Sequence, residues 1–179
     1  PFLLFLSPHP PHYTPAEFAP AECYDGLPDE LELPDNVGSR WAAETREMYR
    51  HYLAMIRAID KMVGRMLDHL DETGLADNTI VLLASDHGTM GGAHDVHPWL
   101  KKHSYEESIH IPGIVRFPDV IKPGTSVVDL FGMPDFFPTL CGLAGVPIPQ
   151  TVEGHDLSAV LRHGSVGSST APTQEALLL

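Results

Sequence analysis

The run Thr79-Ile80-Val81-Leu82-Leu83-Ala84, leading into Ser85-Asp86-His87-Gly88, constrains this chain more than any other stretch. A short β-branched and Leu-rich segment bounded by turn residues reads as a buried strand of a parallel sheet. In open α/β sheets, ligands lie just outside the carboxyl ends of such strands. Asp86 and His87 occupy that position, and Gly88 is expected to let the chain turn sharply after them. A carboxylate beside an imidazole at a rigid strand end suits a metal ion. A turn-capping Asp beside an incidental loop His fits the same residues, and strand-end position leaves both readings open.

The rest of the pattern supplies the helices. Met48, Tyr52, Ile56, Ile59, Val63, Met66, Leu67 and Leu70 recur at three- and four-residue steps, predicting a long amphipathic helix closed by Gly74. Its methionines read as core filler. Pro1-Phe2-Leu3-Leu4-Phe5-Leu6 reads as a buried strand, and Ser7 to about Gly38 as a Pro- and acid-rich loop. Ile111 to Phe117 and Ser126 to Leu130 are further strand candidates, and Asp135 is expected to cap a helix from Phe136 to Ala144 that stops at Gly145. Pro147 to Gly154 and Gly164 to Pro172 have loop composition. Strand, long helix and strand in alternation predict an α/β fold with a mostly parallel sheet flanked by helices.

At 179 residues the chain can build one domain with a real core. Its formal net charge of −13 argues against a general nucleic-acid or anionic-membrane surface, though not against a local anion site. Cys23 and Cys141 make no disulfide framework and no zinc spacing, and a bond between the two is left open by the sequence. The opening at Pro1 and the strand-like ending Glu175-Ala176-Leu177-Leu178-Leu179 are expected of a piece cut from a longer chain. No transmembrane stretch is read; the first apolar run is too short to span. Neither compartment nor oligomeric state is legible.

Four groups of polar residues carry chemistry: His9 with His12, Asp86 with His87, His94 to His97, and Lys101 to Glu107. If the first strand runs parallel to the one before Asp86, the first two groups share a sheet edge, where His12 could donate a proton or bind an anion. A lysine at 101 or 102 could supply a point charge to a phosphate or sulfate oxygen. Each also has a plainer reading: a solvated loop histidine, or lysines paired with their acidic neighbours.

The ordered set Asp77 to Gly88, then Lys101-Lys102-His103-Ser104-Tyr105-Glu106-Glu107-Ser108, then Ile111-Pro112, resembles the second half of a sulfatase, in the alkaline phosphatase superfamily. Pro11-His12, Asp71 to Leu75 and Asp135 to Val146 agree in order, so the resemblance covers most of the chain. It implies an alkaline-phosphatase-like α/β domain, incomplete over residues 1–150, with a smaller C-terminal subdomain beginning over 151–179. Asp86 and His87 match two ligands of a divalent cation, calcium first and Mg2+ or Mn2+ as alternatives. Lys101 matches the lysine on the sulfate and leaving group, with Lys102 the alternative, and His12 matches the histidine on the sulfate or leaving oxygen. His9 is placed beside that pocket.

The implied activity is hydrolysis of a small-molecule or carbohydrate sulfate ester through a formylglycine nucleophile. No Cys-x-Pro-x-Arg motif occurs here, so the piece holds half a metal site, lacks its nucleophile, and is expected to be inactive by itself. A phosphodiester or phosphonate monoester hydrolase of the same superfamily, or a non-catalytic degenerate paralogue, remains an alternative.

Overall fold

A computed structural model describes residues 1–12 and 19–164. They divide into two units: Pro1–His69 with His87–Ile111, and Leu70–Asp86 with the chain from Pro112 onward.

The first unit is organised on helix α1 (Ala42–Glu72), whose last three residues belong to the second. Thr45, Met48, Ala54 and Met55 are its buried positions. Ala54 and Met55 pack with Ala19 and Cys23, and Tyr24, Leu27 and Ala58 close around them. Ile56, expected on the buried stripe, is 40% exposed. The inward face is thus set by the segment laid on the helix.

That segment is Pro-rich, and among its described residues there is no strand and one 3-10 turn, Ala21–Cys23. Its carbonyls need donors from elsewhere. One helix supplies them. Arg57 Nη1 donates to the Asp25 carbonyl at 2.7 Å and to that of Cys23 at 3.3 Å. Arg46 and Arg50 donate to the Leu31 and Pro28 carbonyls, and the Tyr24 hydroxyl meets His51 Nδ1 at 2.9 Å.

Gly74 ends α1, as the sequence predicts. With φ at +67°, it turns the chain so that its own N–H reaches the Asp71 carbonyl and that of Leu75 reaches Leu70. A 3-10 turn at Ala76–Asn78 then leads into strand β1 (Val81–Ala84).

β1 pairs antiparallel with β2 (Gly113–Arg116), Val81 opposite Arg116 and Ala84 opposite Gly113. Both strands were legible in sequence; their direction was not. A parallel return needs a long crossover, usually a helix. The intervening chain offers only the one-turn helix α2 (Glu106–Ile109). The expectation of a mostly parallel sheet is therefore corrected for the described residues, which form one two-stranded antiparallel sheet within an α/β arrangement. Nor is β1 fully buried, since Leu83 is 37% exposed. Arg116 Nη2 anchors β2 to Asp71 Oδ1 at 2.7 Å.

Two other expected strands are irregular. Leu3 is 93% and Phe5 87% exposed in the Pro1–Leu6 run, and Val128 is 85% exposed in the Ser126–Leu130 run. Apolar composition creates a demand for burial, but a strand also needs a neighbour for its backbone groups. Neither run joins the one sheet found among the described residues.

Helix α3 (Met133–Ala144) starts three residues before its expected first residue, with Gly132 as N-cap. Asp135 is the third helical residue, and its Oδ2 accepts the Gly132 N–H at 2.8 Å. The helix stops at Gly145 as predicted. In helix α4 (Ser158–His163), Arg162 donates to the carbonyls of Gly142 and Leu143, satisfying the end of α3. Cys23 and Cys141 are both free thiols. Tyr13 to Pro15, the loop beyond Gly164 and the strand beginning expected at Glu175 to Leu179 lie outside the described residues. None of the helices among the described residues is long and apolar enough to cross a membrane.

Candidate active site

Asp86 and His87 are exposed and follow β1 immediately after Ser85. The His87 Nδ1 lies 2.8 Å from the Gly88 carbonyl oxygen. A carbonyl only accepts, so Nδ1 carries the hydrogen, and the neutral ring has its lone pair on Nε2. The carboxylate and this tautomer suit a hard cation that takes mostly oxygen and tolerates one imidazole. They are two donors. Among the described residues, no group of three or more His, Cys, Asp and Glu is gathered to hold a metal.

Gly88 serves another purpose than the sharp turn expected of it. It approaches the opposite side of its loop so closely that a Cβ would collide with the Glu107 carbonyl oxygen. Its N–H donates to the Ser108 carbonyl at 2.8 Å and closes the loop at its base. Inside, Met90 N–H reaches the Leu100 carbonyl at 3.0 Å, Gly91 N–H reaches that of Pro98 at 3.0 Å, and the Thr89 hydroxyl bonds Pro98 at 2.9 Å. Met90 is fully buried, and Ala93 bridges to Val37.

Lys101 follows directly and is half-buried; Lys102, exposed, has φ at +66°. The acidic neighbours do not pair with these lysines. Glu106 Oε2 meets His110 Nδ1 at 3.0 Å. Glu107 Oε1 accepts the Asn36 side-chain amide at 2.7 Å and lies 3.4 Å from His94 Nε2. The Glu107 carboxyl is held below the ordinary glutamate value. Its own backbone N–H is the main cause, opposed by burial and reinforced by Asn36 and His94. Burial, then Tyr52 and Glu107, push the Tyr49 hydroxyl above its usual value.

His9 and His12 are exposed, their rings 4.9 Å apart and tilted by 44°. A turn joins them, His12 N–H donating to the His9 carbonyl at 3.0 Å. The structure thus brings His9 together with His12, while Asp86 and His87 are neighbours in sequence. His12, His87 and Lys101 belong to the first unit and Asp86 to the second. Sequence reasoning singled out the regions of His94 and Glu107 but not their bond or the part of Asn36 in it. Their only sequence signal was a clustering of polar types.

Residues 1–146 match the family model described as Sulfatase. The chain is 38% identical over 165 residues to the ulvan-active sulfatase of Formosa agariphila, covering 91% of this chain and 32% of that protein. It is similar, at 30% identity and TM-score 0.75, to a structure solved in work on glycosaminoglycan metabolism by Bacteroides thetaiotaomicron, covering 92% of this chain and 34% of that one. A phosphonate monoester hydrolase of Silicibacter pomeroyi is 32% identical with a TM-score of 0.63, over 70% of this chain and 24% of that one. The chain therefore spans about a third or less of the length of these relatives.

Proposed function

Because this chain belongs to the sulfatase family, we propose that it carries part of a metal-dependent site that hydrolyses a sulfate monoester. Its fold is the alkaline-phosphatase-like α/β fold of its structural relatives. One observation carries the proposal: the family match covers residues 1–146, the span in which His12, Asp86, His87 and Lys101 lie.

In this reading Asp86 and His87 would hold a divalent cation, calcium before Mg2+ or Mn2+. When bound, such a cation polarises a sulfate oxygen and offsets the charge of the transition state. The Lys101 ammonium supplies a point charge to the sulfate and to the leaving oxygen as its bond to sulfur breaks. His12 donates a proton to the departing alkoxide or phenoxide. The nucleophile, a formylglycine, is assigned to residues other than these 179, since neither Cys23 nor Cys141 is followed by the Pro and Arg that its motif requires.

The ulvan-active relative and the glycosaminoglycan-related structure favour a sulfated carbohydrate as substrate. The phosphonate monoester hydrolase favours a second reading, with a phosphonate or phosphodiester in the same site. Turnover of aryl sulfate, aryl phosphonate and sulfated oligosaccharide by the full-length protein separates them. Under the first reading, sulfate esters are the better substrates, and Lys101→Ala and Asp86→Asn each lower kcat/KM by about 100-fold or more. Faster phosphonate turnover would move the assignment to the second reading. Wild-type rates in both variants would refute the site.

A further inference from the structure

Building on the role of Lys101 given above, we propose that Glu107 and His94 are positioning residues that fix where its ammonium lies. Upstream, the lysine is one residue from a firm anchor. The Leu100 carbonyl accepts the Met90 N–H at 3.0 Å and the Thr89 hydroxyl at 3.4 Å, and Met90 is fully buried. Downstream, the chain is next held at Ser108, whose carbonyl accepts the Gly88 N–H at 2.8 Å, while Tyr105 is 43% and Ile109 38% exposed.

A polar ring holds the stretch between Lys102 and Ser108. Asn36 is used twice: its carbonyl accepts the His94 N–H at 3.0 Å, and its side-chain amide donates to Glu107 Oε1 at 2.7 Å. His94 Nε2 meets the same carboxylate oxygen at 3.4 Å, and its ring lies on Tyr105 with centroids 4.0 Å apart and planes 13° apart. Between the two anchors, Lys102 turns through the left-handed region at φ +66°, a backbone state that a lysine keeps when the chain is fixed on both sides. Removing the polar ring leaves the downstream side of the segment that carries Lys101 held only from Ser108, through the Gly88 N–H. The lysine keeps its charge and loses its aim, a loss that acts on the transition state before it acts on the fold.

The test uses the full-length enzyme with aryl sulfates whose leaving groups differ in basicity. Glu107→Ala is expected to lower kcat about 10- to 100-fold with a smaller change in KM, most for the most basic leaving groups. Glu107→Gln, which can still accept from Asn36, recovers part of the rate. The double variant Glu107→Ala with Lys101→Ala is no slower than Lys101→Ala alone, because both act through one ammonium. His94→Ala repeats the pattern more weakly and serves as the readout if Glu107→Ala does not fold. A slow Lys101→Ala beside wild-type rates in Glu107→Ala and His94→Ala overturns this proposal alone, as does a double variant whose losses multiply. A wild-type rate in Lys101→Ala overturns the lysine's assignment and this proposal with it.

Discussion

The buried carboxylate of Asp135 holds His155 by its backbone: Oδ1 accepts the His155 N–H at 2.8 Å and lies 3.7 Å from the ring Nδ1. The other oxygen caps Gly132, so one side chain, 1% exposed, serves the start of α3 and the chain leading to α4. Asp135→Ala leaves two backbone donors without their acceptor and is expected to cost about 2–4 kcal/mol. Asp135→Asn retains one acceptor and should cost less. Urea midpoints of the two variants check the order.

Gly88→Ala places a methyl group on the Glu107 carbonyl, a rigid backbone atom. The chain must move there, at about 1–3 kcal/mol and at the upper end of that range. Because the Gly88 N–H closes the loop on Ser108, amide exchange should quicken from Gly88 to Gly91 more than in the middle of α1. Uniform quickening would contradict a local role.

Glu107 gives the acid side of stability a definite sign. Its folded pKa is depressed below 4.5, so its contribution is fully present above that value and is lost as pH falls through the lower folded one. Glu107→Gln lacks the contribution. The gap between wild type and variant in urea midpoint should be widest near neutrality and close as the pH drops below about 4.5.

Arg57→Ala removes the donor shared by the Cys23 and Asp25 carbonyls and should cost about 1–2 kcal/mol. Arg57→Lys keeps a charge but not the guanidinium fork, and should recover part of the loss. Thermal melting of both variants tests whether the Pro-rich segment depends on this strap.

What could be read beforehand was local. Gly74 and Gly145 were legible as stops because a left-handed residue after a helix favours glycine wherever the helix lies. Helix α1 was legible from its period, though not the side it would bury, which depends on Ala19 and Cys23 packing onto it from a Pro-rich loop. Asp135 was legible as a capping residue and misplaced by one turn, since Met133 and Pro134 extend the helix before it.

Long-range facts were not legible. The direction of β1 against β2 depends on how the chain returns over residues that carry no crossover helix. Among candidate site residues, His12, Asp86, His87 and Lys101 stood out by type and by resemblance. The bond between Asn36 and Glu107 joins residues 71 apart, and nothing in either segment announces it.

The loop closed at Gly88 and Ser108 is fastened at its base and along its inner arm, while Lys102 and Ser104 stay exposed. Side chains at those outer positions can be exchanged without disturbing the bonds that fix Leu100 and Glu107. Such a loop separates two tasks. On the proposed reading, side chains around the Lys101 ammonium can change while the two anchored ends keep its place.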